Sequence, residues 1–231
     1  LIQNAWAVVT CDDRDSLLEN ANILIRDGVV AYMGPEPQEA DEVLDASRCI
    51  VYPGLINTHH HLYQTFSRNL PQVQNLELFD WLRALYEIWK NLDGEAVYYS
   101  SLVGMGELLK TGCTTVFDHH YVFPGGTSAA LLDAQFAAAG DLGVRMAASR
   151  GSMDLSKKDG GLPPDSVVQT GDEILRDSQA AAEKYHDPSF NSMRTVALAP
   201  CSPFSAGETL YRQSAALARS LGLRLHTHLC E

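Results

Sequence analysis

Three consecutive histidines, His59, His60 and His61, follow a short apolar run that begins at Val51. β-branched and apolar residues with little alternation are typical of a strand covered on both faces, so we expect a buried strand over 51–56. Side chains alternate along an extended chain, which places His59 and His61 on one side and His60 on the other. Two imidazoles on one side are a suitable pair of ligands for zinc, iron or a similar ion. An expression tag, the alternative explanation of such a run, would stand at a terminus without a strand leading into it.

A second group of residues that could bind a metal or carry a proton lies in the last residues of the given sequence. Residues 223–229 are again typical of a strand, and they contain His226 and His228, with Glu231 three residues beyond His228. A catalytic zinc ion usually takes three protein ligands and keeps one position for water. One of these histidines can supply a third ligand, and the carboxylate of Glu231 can carry a proton beside it.

The composition limits the class of partner. The chain has 231 residues, 45% of them hydrophobic, and a formal net charge of -12. This hydrophobic content is enough for a packed core. The negative charge argues against binding to nucleic acid or to an anionic membrane, because phosphate contacts need clustered lysine and arginine. A small, roughly neutral substrate fits better.

The cysteines and the hydrophobic profile bear on the compartment. The five cysteines are scattered and include no Cys-x-x-Cys pair, so the sequence indicates neither a disulfide framework nor a structural zinc site. We expect reduced thiols and a cytoplasmic protein. No signal peptide is evident, and no stretch approaches the roughly 20 apolar residues that span a bilayer.

Two kinds of element must position the histidines. Residues 1–50 contain short strand-like runs and an Asp27–Gly28 hairpin signal, which indicate a small β-domain. From Val51 onward, strands alternate with helices, which predicts an α/β fold with a parallel sheet, either doubly wound or closed into a barrel. The helices are expected at 94–111, 127–142, 171–186 and 207–221, and the later strands at 113–118, 143–149, 193–199 and 223–229. Active-site residues of a barrel gather at the carboxyl ends of its strands, which is where both histidine groups stand.

The histidine motifs resemble those of the amidohydrolase superfamily, and within it the aminohydrolases that act on purines, pterins and triazines. Asn57–His61 is similar to the motif of that family's first barrel strand, and His228–Glu231 to the His-x-x-Glu motif of its fifth. The resemblance implies that His59, His61 and His228 bind the metal and that Glu231 is the catalytic proton shuttle. Further segments that resemble the branch acting on oxidised purines are 59–64, 78–82, 149–153, 161–168 and 199–205.

The same resemblance implies a (β/α)8 TIM-type barrel with a small N-terminal β-sandwich segment. Residues 1–50 then belong to the sandwich, and residues 51–231 form the first part of the barrel, with five of its strands. Because a buried parallel strand needs a neighbour on each side, we expect three further βα units beyond this chain. A half-barrel that dimerises is the alternative. The family's sixth-strand histidine and eighth-strand aspartate would lie in the further units.

The fourth strand indicates how many metal ions the site holds. Some members of the superfamily bind two ions bridged by a carbamylated lysine at the end of that strand. Residues 194–199 contain no lysine. We therefore expect one divalent ion, with zinc ahead of iron.

The resemblance also implies which side chains meet the substrate. Gln64 stands where guanine deaminases have a glutamine that hydrogen-bonds the purine edge, and its amide offers both a donor and an acceptor. Cys201 stands where other members have arginine or histidine, although an inert buried thiol would look the same in sequence. Arg150, just after the third strand, and Trp81, in the loop after the first, are expected near the mouth of the pocket.

The expected reaction is the hydrolytic deamination of an oxidised purine base, in which 8-oxoguanine and water give urate and ammonia. Isoxanthopterin, guanine or an s-triazine is the alternative substrate, and a catalytically silent metal-binding relative is the alternative from another class. The partner is then a purine-like small molecule, and whether the subunits form a homodimer stays open. His119 and His120 could reach the pocket from the second strand's end, but we interpret them as structural.

Overall fold

The computed structural model describes residues 1–230, so Glu231 lies outside the described residues. Two compact units divide the chain after Gly54, four residues later than the boundary expected from the sequence. The N-terminal unit is one five-stranded sheet. Its strands are β1 (Ile2–Val9), β2 (Leu17–Arg26), β3 (Val29–Gly34), β4 (Leu44–Asp45) and β5 (Ile50–Val51).

Hairpins and parallel pairs together build this first sheet. β1, β2 and β3 are antiparallel neighbours, while β4 and β5 both pair parallel to β1. Asp27 and Gly28 close the hairpin between β2 and β3 with φ values of 52° and 78°. Both values lie in the left-handed region that this tight turn requires, which explains the Asp-Gly pair in the sequence.

The second unit alternates strands and helices around a parallel five-stranded sheet. The strands are β6 (Leu55–His60), β7 (Cys113–Asp118), β8 (Arg145–Ser152), β9 (Arg194–Pro200) and β10 (Arg224–Leu225). The helices are α1 (Leu78–Trp89), α2 (Gly94–Lys110), α3 (Ser128–Leu142), α4 (Gly171–Tyr185) and α5 (Glu208–Leu221). The strands pair in chain order from β6 to β10. This arrangement confirms the prediction of the first five strands of an α/β barrel.

The sheet of the second unit curls strongly. β6 and β10 lie at opposite edges of five strands, so their ends would be about 19 Å apart if the sheet were flat. His59 lies on β6 and His228 lies three residues beyond β10. Their Nε2 atoms are nevertheless only 3.2 Å apart. This curvature is what a barrel sheet requires, and it brings the two histidine groups together.

Three details of the sequence interpretation were wrong. The strand expected over 51–56 is two separate strands, because Pro53 and Gly54 interrupt it: β5 belongs to the first sheet, and the barrel strand β6 begins at Leu55. Leu55 is 58% exposed, so the first residue of β6 is not buried as expected. The strand expected over 223–229 is only two residues long, although the backbone N–H groups of His226 and His228 still donate to Leu198 and Cys201.

The third correction concerns the region after β6. The sequence interpretation left it as a loop, but 3-10 turns at Leu62–Ser67 and Pro71–Val73 lead into α1. α1 buries Leu82, Leu85, Tyr86 and Trp89 on one face, at the spacing that an amphipathic helix gives. Among the described helices, none is long and apolar enough to cross a membrane.

Candidate metal centre

Three histidine side chains converge beyond the carboxyl ends of β6 and β10. The Nε2 atoms of His59 and His61 are 3.2 Å apart, and each is also 3.2 Å from Nε2 of His228. His59 and His61 therefore point together, as the alternation of the strand predicted. His60 points elsewhere and packs against Gly104 of α2.

In two of these histidines the partner of the other ring nitrogen fixes which nitrogen carries the proton. Nδ1 of His61 donates to the carbonyl of His119 at 2.7 Å, and Nδ1 of His228 donates to the carbonyl of Cys201 at 3.0 Å. Nδ1 of His59 lies 3.0 Å from Nε2 of His226. Since a neutral imidazole has one donor and one acceptor nitrogen, the two carbonyl partners leave Nε2 of His61 and Nε2 of His228 as acceptors.

The charge state of the rings also suits metal binding. Burial lowers the pKa of His61 to about 3, and burial is likewise the main reason that the pKa of His59 lies below its usual value. These rings stay neutral at pH 7, the form that binds metal.

A divalent cation fits this arrangement. Zinc binds imidazole nitrogen at about 2.05 Å, and tetrahedral geometry separates such ligand atoms by about 3.3 Å. The observed edge of 3.2 Å matches this spacing. The carbonyl contacts leave no donor at Nε2 of His61 or of His228, so the 3.2 Å separation of these two atoms is not a hydrogen bond between neutral rings. The donor set therefore suits a divalent metal ion.

His119 also belongs to this centre, and the sequence interpretation missed it. Its ring is fully buried and stacks on that of His228, with centroids 4.4 Å apart. A nitrogen of His119 lies within 4.8 Å of the ligand nitrogens of His59, His61 and His228. Within residues 1–230, neither of its ring nitrogens has a hydrogen-bond partner. The only signal in the sequence was its position directly after the second barrel strand.

His120, its neighbour, has the structural role that we expected. Its Nε2 donates to the carbonyl of Val122 at 2.8 Å, and its ring packs between Tyr63 and Phe123. Asp118, the last residue of β7, accepts a 2.6 Å hydrogen bond from the backbone N–H of Leu62 and a second one from Gln135. These contacts hold the ends of β6 and β7 together beneath the histidines.

Two of the residues expected to meet substrate lie beside the centre. Sγ of Cys201 is 3.8 Å from Nδ1 of His228, and the thiol is buried. The amide of Gln64 makes long hydrogen bonds of 3.4 Å to the hydroxyls of Tyr63 and Tyr121, and the Tyr121 ring lies 5.3 Å from that of His61. Both side chains therefore lie next to residues that surround the three Nε2 atoms.

The structure does not bring Arg150 to the histidines. Arg150 lies within β8 rather than after it, and its side chain is completely buried. The guanidinium donates to Ser128 at 3.2 Å and to Gln169 at 2.6 Å, and it lies 4.1 Å from the centroid of the Phe123 ring. These partners belong to the helix side of the sheet, so the expected position at the pocket mouth was wrong.

Trp81 occupies an intermediate position. It lies on α1, not in a loop, and its ring packs edge-on against Trp89 at 5.5 Å. It shares a cavity of about 180 Å³ with Gln64 and Arg68, next to the centre rather than in it. Glu231, the expected proton shuttle, falls outside the residues that the structure describes.

Known proteins are similar to this chain in sequence and in fold over nearly all of its length. The chain is 43% identical to 8-oxoguanine deaminase of Pseudomonas aeruginosa, over 100% of this chain and 51% of that protein. It is 38% identical to hydroxydechloroatrazine ethylaminohydrolase of Pseudomonas sp. strain ADP, over 97% and 49%. The crystal structure of an atrazine chlorohydrolase from Arthrobacter aurescens TC1 complexed with zinc superposes with a TM-score of 0.95 at 32% identity, over 100% and 52%.

The chain thus spans about half the length of the relatives that it matches. Residues 50–231 match the amidohydrolase family itself. This match includes every histidine of the candidate metal centre, and it agrees with the parallel sheet that positions them. The chain belongs to the amidohydrolase family.

Proposed function

We propose that the protein is a metal-dependent deaminase of an oxidised purine base, converting 8-oxoguanine and water to urate and ammonia. The observation that carries the proposal is the triangle of Nε2 atoms from His59, His61 and His228, with 3.2 Å edges. We assign one divalent ion, zinc ahead of iron, to these three atoms. The 43% identity to 8-oxoguanine deaminase supports the choice of substrate.

The bound ion would supply a nucleophile from water at neutral pH, because coordination lowers the pKa of that water. We assign the transfer of the proton to the ring nitrogen of the substrate to Glu231, three residues beyond His228. The backbone N–H and Nδ1 of His228 both donate to the carbonyl of Cys201 at 3.0 Å. This double attachment holds the start of the His-x-x-Glu motif against the end of β9.

We assign recognition of the substrate to Gln64 and Cys201. The amide of Gln64 can both donate to and accept from the lactam edge that guanine and 8-oxoguanine share. Its present bonds to the tyrosine hydroxyls are 3.4 Å long, so a better-placed substrate atom can replace them. Cys201 is buried beside His228 and puts a weakly polar thiol at the end of β9.

A triazine is the strongest alternative substrate. The specific observation in its favour is the TM-score of 0.95 to an atrazine chlorohydrolase, together with the 38% identity to a hydroxydechloroatrazine ethylaminohydrolase. Three imidazoles and an activated water suit hydrolysis at any electron-poor ring carbon. The metal site alone therefore does not choose between a purine and a triazine.

Release of the leaving amine from a panel of substrates tests the proposal, measured as ammonia for the purines, pterin and cytosine and as an alkylamine for hydroxyatrazine, whose ring amines are alkylated. The full-length protein, loaded with zinc, is assayed with 8-oxoguanine, guanine, isoxanthopterin, cytosine and hydroxyatrazine. We expect the highest kcat/KM for 8-oxoguanine, with urate as the product. A higher value for isoxanthopterin or a triazine would transfer the assignment to that substrate. No turnover of any panel member by zinc-loaded protein would indicate a catalytically silent relative.

A further inference from the structure

The three imidazoles of the metal centre are not held in the same way. His61 and His228 are each oriented by a backbone carbonyl, that of His119 and that of Cys201. His59 is oriented by a side chain, because its Nδ1 lies 3.0 Å from Nε2 of His226. A side-chain substitution cannot remove a backbone carbonyl, but a substitution at residue 226 can remove the hydrogen-bond partner of His59.

The direction of this hydrogen bond follows from the geometry of the triangle. Nε2 of His59 faces two other acceptor nitrogens at 3.2 Å, so it must be an acceptor to bind a cation with them. Nδ1 of His59 therefore carries the proton and donates a hydrogen bond to Nε2 of His226. His226 in turn carries its own proton on Nδ1. One hydrogen bond thus sets both the tautomer and the ring orientation of His59.

Backbone pairing and ring packing fix the position of His226 itself. Its backbone N–H donates to the carbonyl of Leu198 at 2.9 Å, which continues the pairing with β9. Its ring lies 4.5 Å from that of Phe117 in β7 and is partly buried. His59, by contrast, is exposed and stands on the edge strand β6. Of the three ligand side chains it is the one with the least packing to fix its ring.

We propose that His226 is a positioning residue for the metal centre: it accepts a hydrogen bond from His59 and thereby holds the Nε2 lone pair of His59 toward the ion. The inference rests on the metal site of the proposed function and not on its substrate. Groups that orient metal-bound histidines in this way typically contribute 10- to 100-fold to metal affinity. Loss of the acceptor at residue 226 should therefore weaken zinc binding by about 10- to 100-fold.

A pair of variants separates the hydrogen bond from the packing of the ring. His226→Phe keeps an aromatic ring against Phe117 but removes the acceptor. His226→Gln loses the ring but keeps an acceptor oxygen at a similar reach from the backbone. Zinc affinity is measured for the full-length protein by competition with a chromophoric chelator, and circular dichroism and thermal unfolding of the metal-free proteins check the fold.

We expect His226→Phe to lose 10- to 100-fold in zinc affinity and His226→Gln to stay close to the unmodified protein. Unchanged affinity in His226→Phe would overturn the inference. An equal loss in both folded variants would also overturn it, because the ring and not its acceptor would then matter. If the unmodified protein bound no zinc, the inference would fail with the metal site. If it bound zinc tightly but released no ammonia, only the substrate assignment would fail.

Discussion

Adjacent histidines offer a matched pair of substitutions that tests the metal centre. In His61→Ala one of three ligand nitrogens is lost, whereas His60→Ala removes a ring that packs against Gly104, away from the triangle. Four-ligand zinc sites bind with about 10–16 kcal/mol, or roughly 3 kcal/mol per ligand. Nε2 of His61 is as close to the other two nitrogens as they are to each other. We therefore expect its loss to cost the roughly 3 kcal/mol of one ligand. Zinc affinity should fall by about 100-fold or more.

The assay is zinc content after dialysis, followed by competition with a chelator. His60→Ala should keep about one zinc ion per chain, and His61→Ala should lose it under the same conditions. Far-UV circular dichroism controls for folding, since both substitutions remove a ring near the same strand end. Equal zinc loss in the two variants, or zinc retained by His61→Ala, would refute the assignment of the triangle as the metal site.

Three further predictions concern catalysis, specificity and stability. Glu231→Gln should lower kcat by about 10²-fold or more while zinc content stays unchanged, because the amide keeps the shape but cannot carry a proton; near-normal turnover would remove Glu231 from the mechanism. In steady-state assays Gln64→Ala should lower the turnover of 8-oxoguanine and of guanine alike. Cys201→Ala should lower kcat/KM for 8-oxoguanine by up to about tenfold, which is what one weak hydrogen bond contributes, and so reduce the ratio of kcat/KM between 8-oxoguanine and guanine. Equal effects of Cys201→Ala on both purines would contradict that role. Burial lowers the pKa of His120 from 6.5 to about 3. Below pH 6.5 the unfolded chain therefore binds a proton at this residue that the folded protein does not bind. Between those two values, each unit by which the pH falls lowers the free energy of unfolding by about 1.4 kcal/mol through this residue. Urea unfolding at pH 7 and pH 5 should therefore show a smaller loss on acidification in His120→Gln than in the unmodified protein, and an equal loss would contradict the buried neutral ring.

The sequence predicted the convergence of the histidines because two simple rules apply to them. Alternation along a strand pairs His59 with His61, and parallel strands end on one edge of their sheet. What the sequence could not provide is the curl of the sheet. Without it, His228, just beyond β10, would lie four strands away from His59 on β6. The distances that identify a cation site depend on that curl.

The residues that sequence reasoning misplaced differ in why they were missed. Arg150 was taken to follow β8, but it lies within that strand, which continues to Ser152. Side chains alternate between the two faces of a strand, so a residue inside β8 can face away from the pocket. His119 was set aside because buried structural histidines are common. Only packing reveals that its two ring nitrogens lack partners among the described residues.

Trp81 was missed for a different reason, because the signal was in the sequence. Leu78, Leu82, Leu85 and Trp89 are spaced as an amphipathic helix requires, and the structure has α1 there. The boundary before β6 was a local matter as well. Pro53 and Gly54 separate a strand of the first sheet from a strand of the second, where an unbroken apolar run had suggested one element.

Titration of the metal-free protein with zinc tests the central claim most directly. Ammonia release from 8-oxoguanine is followed as zinc is added in steps to full-length protein of known concentration. The three Nε2 atoms of His59, His61 and His228 form a single set with 3.2 Å edges, so activity should rise in proportion to zinc and level off at one equivalent per chain. Full activity in the metal-free protein, or a rise that continues to two equivalents, would contradict the single-ion site.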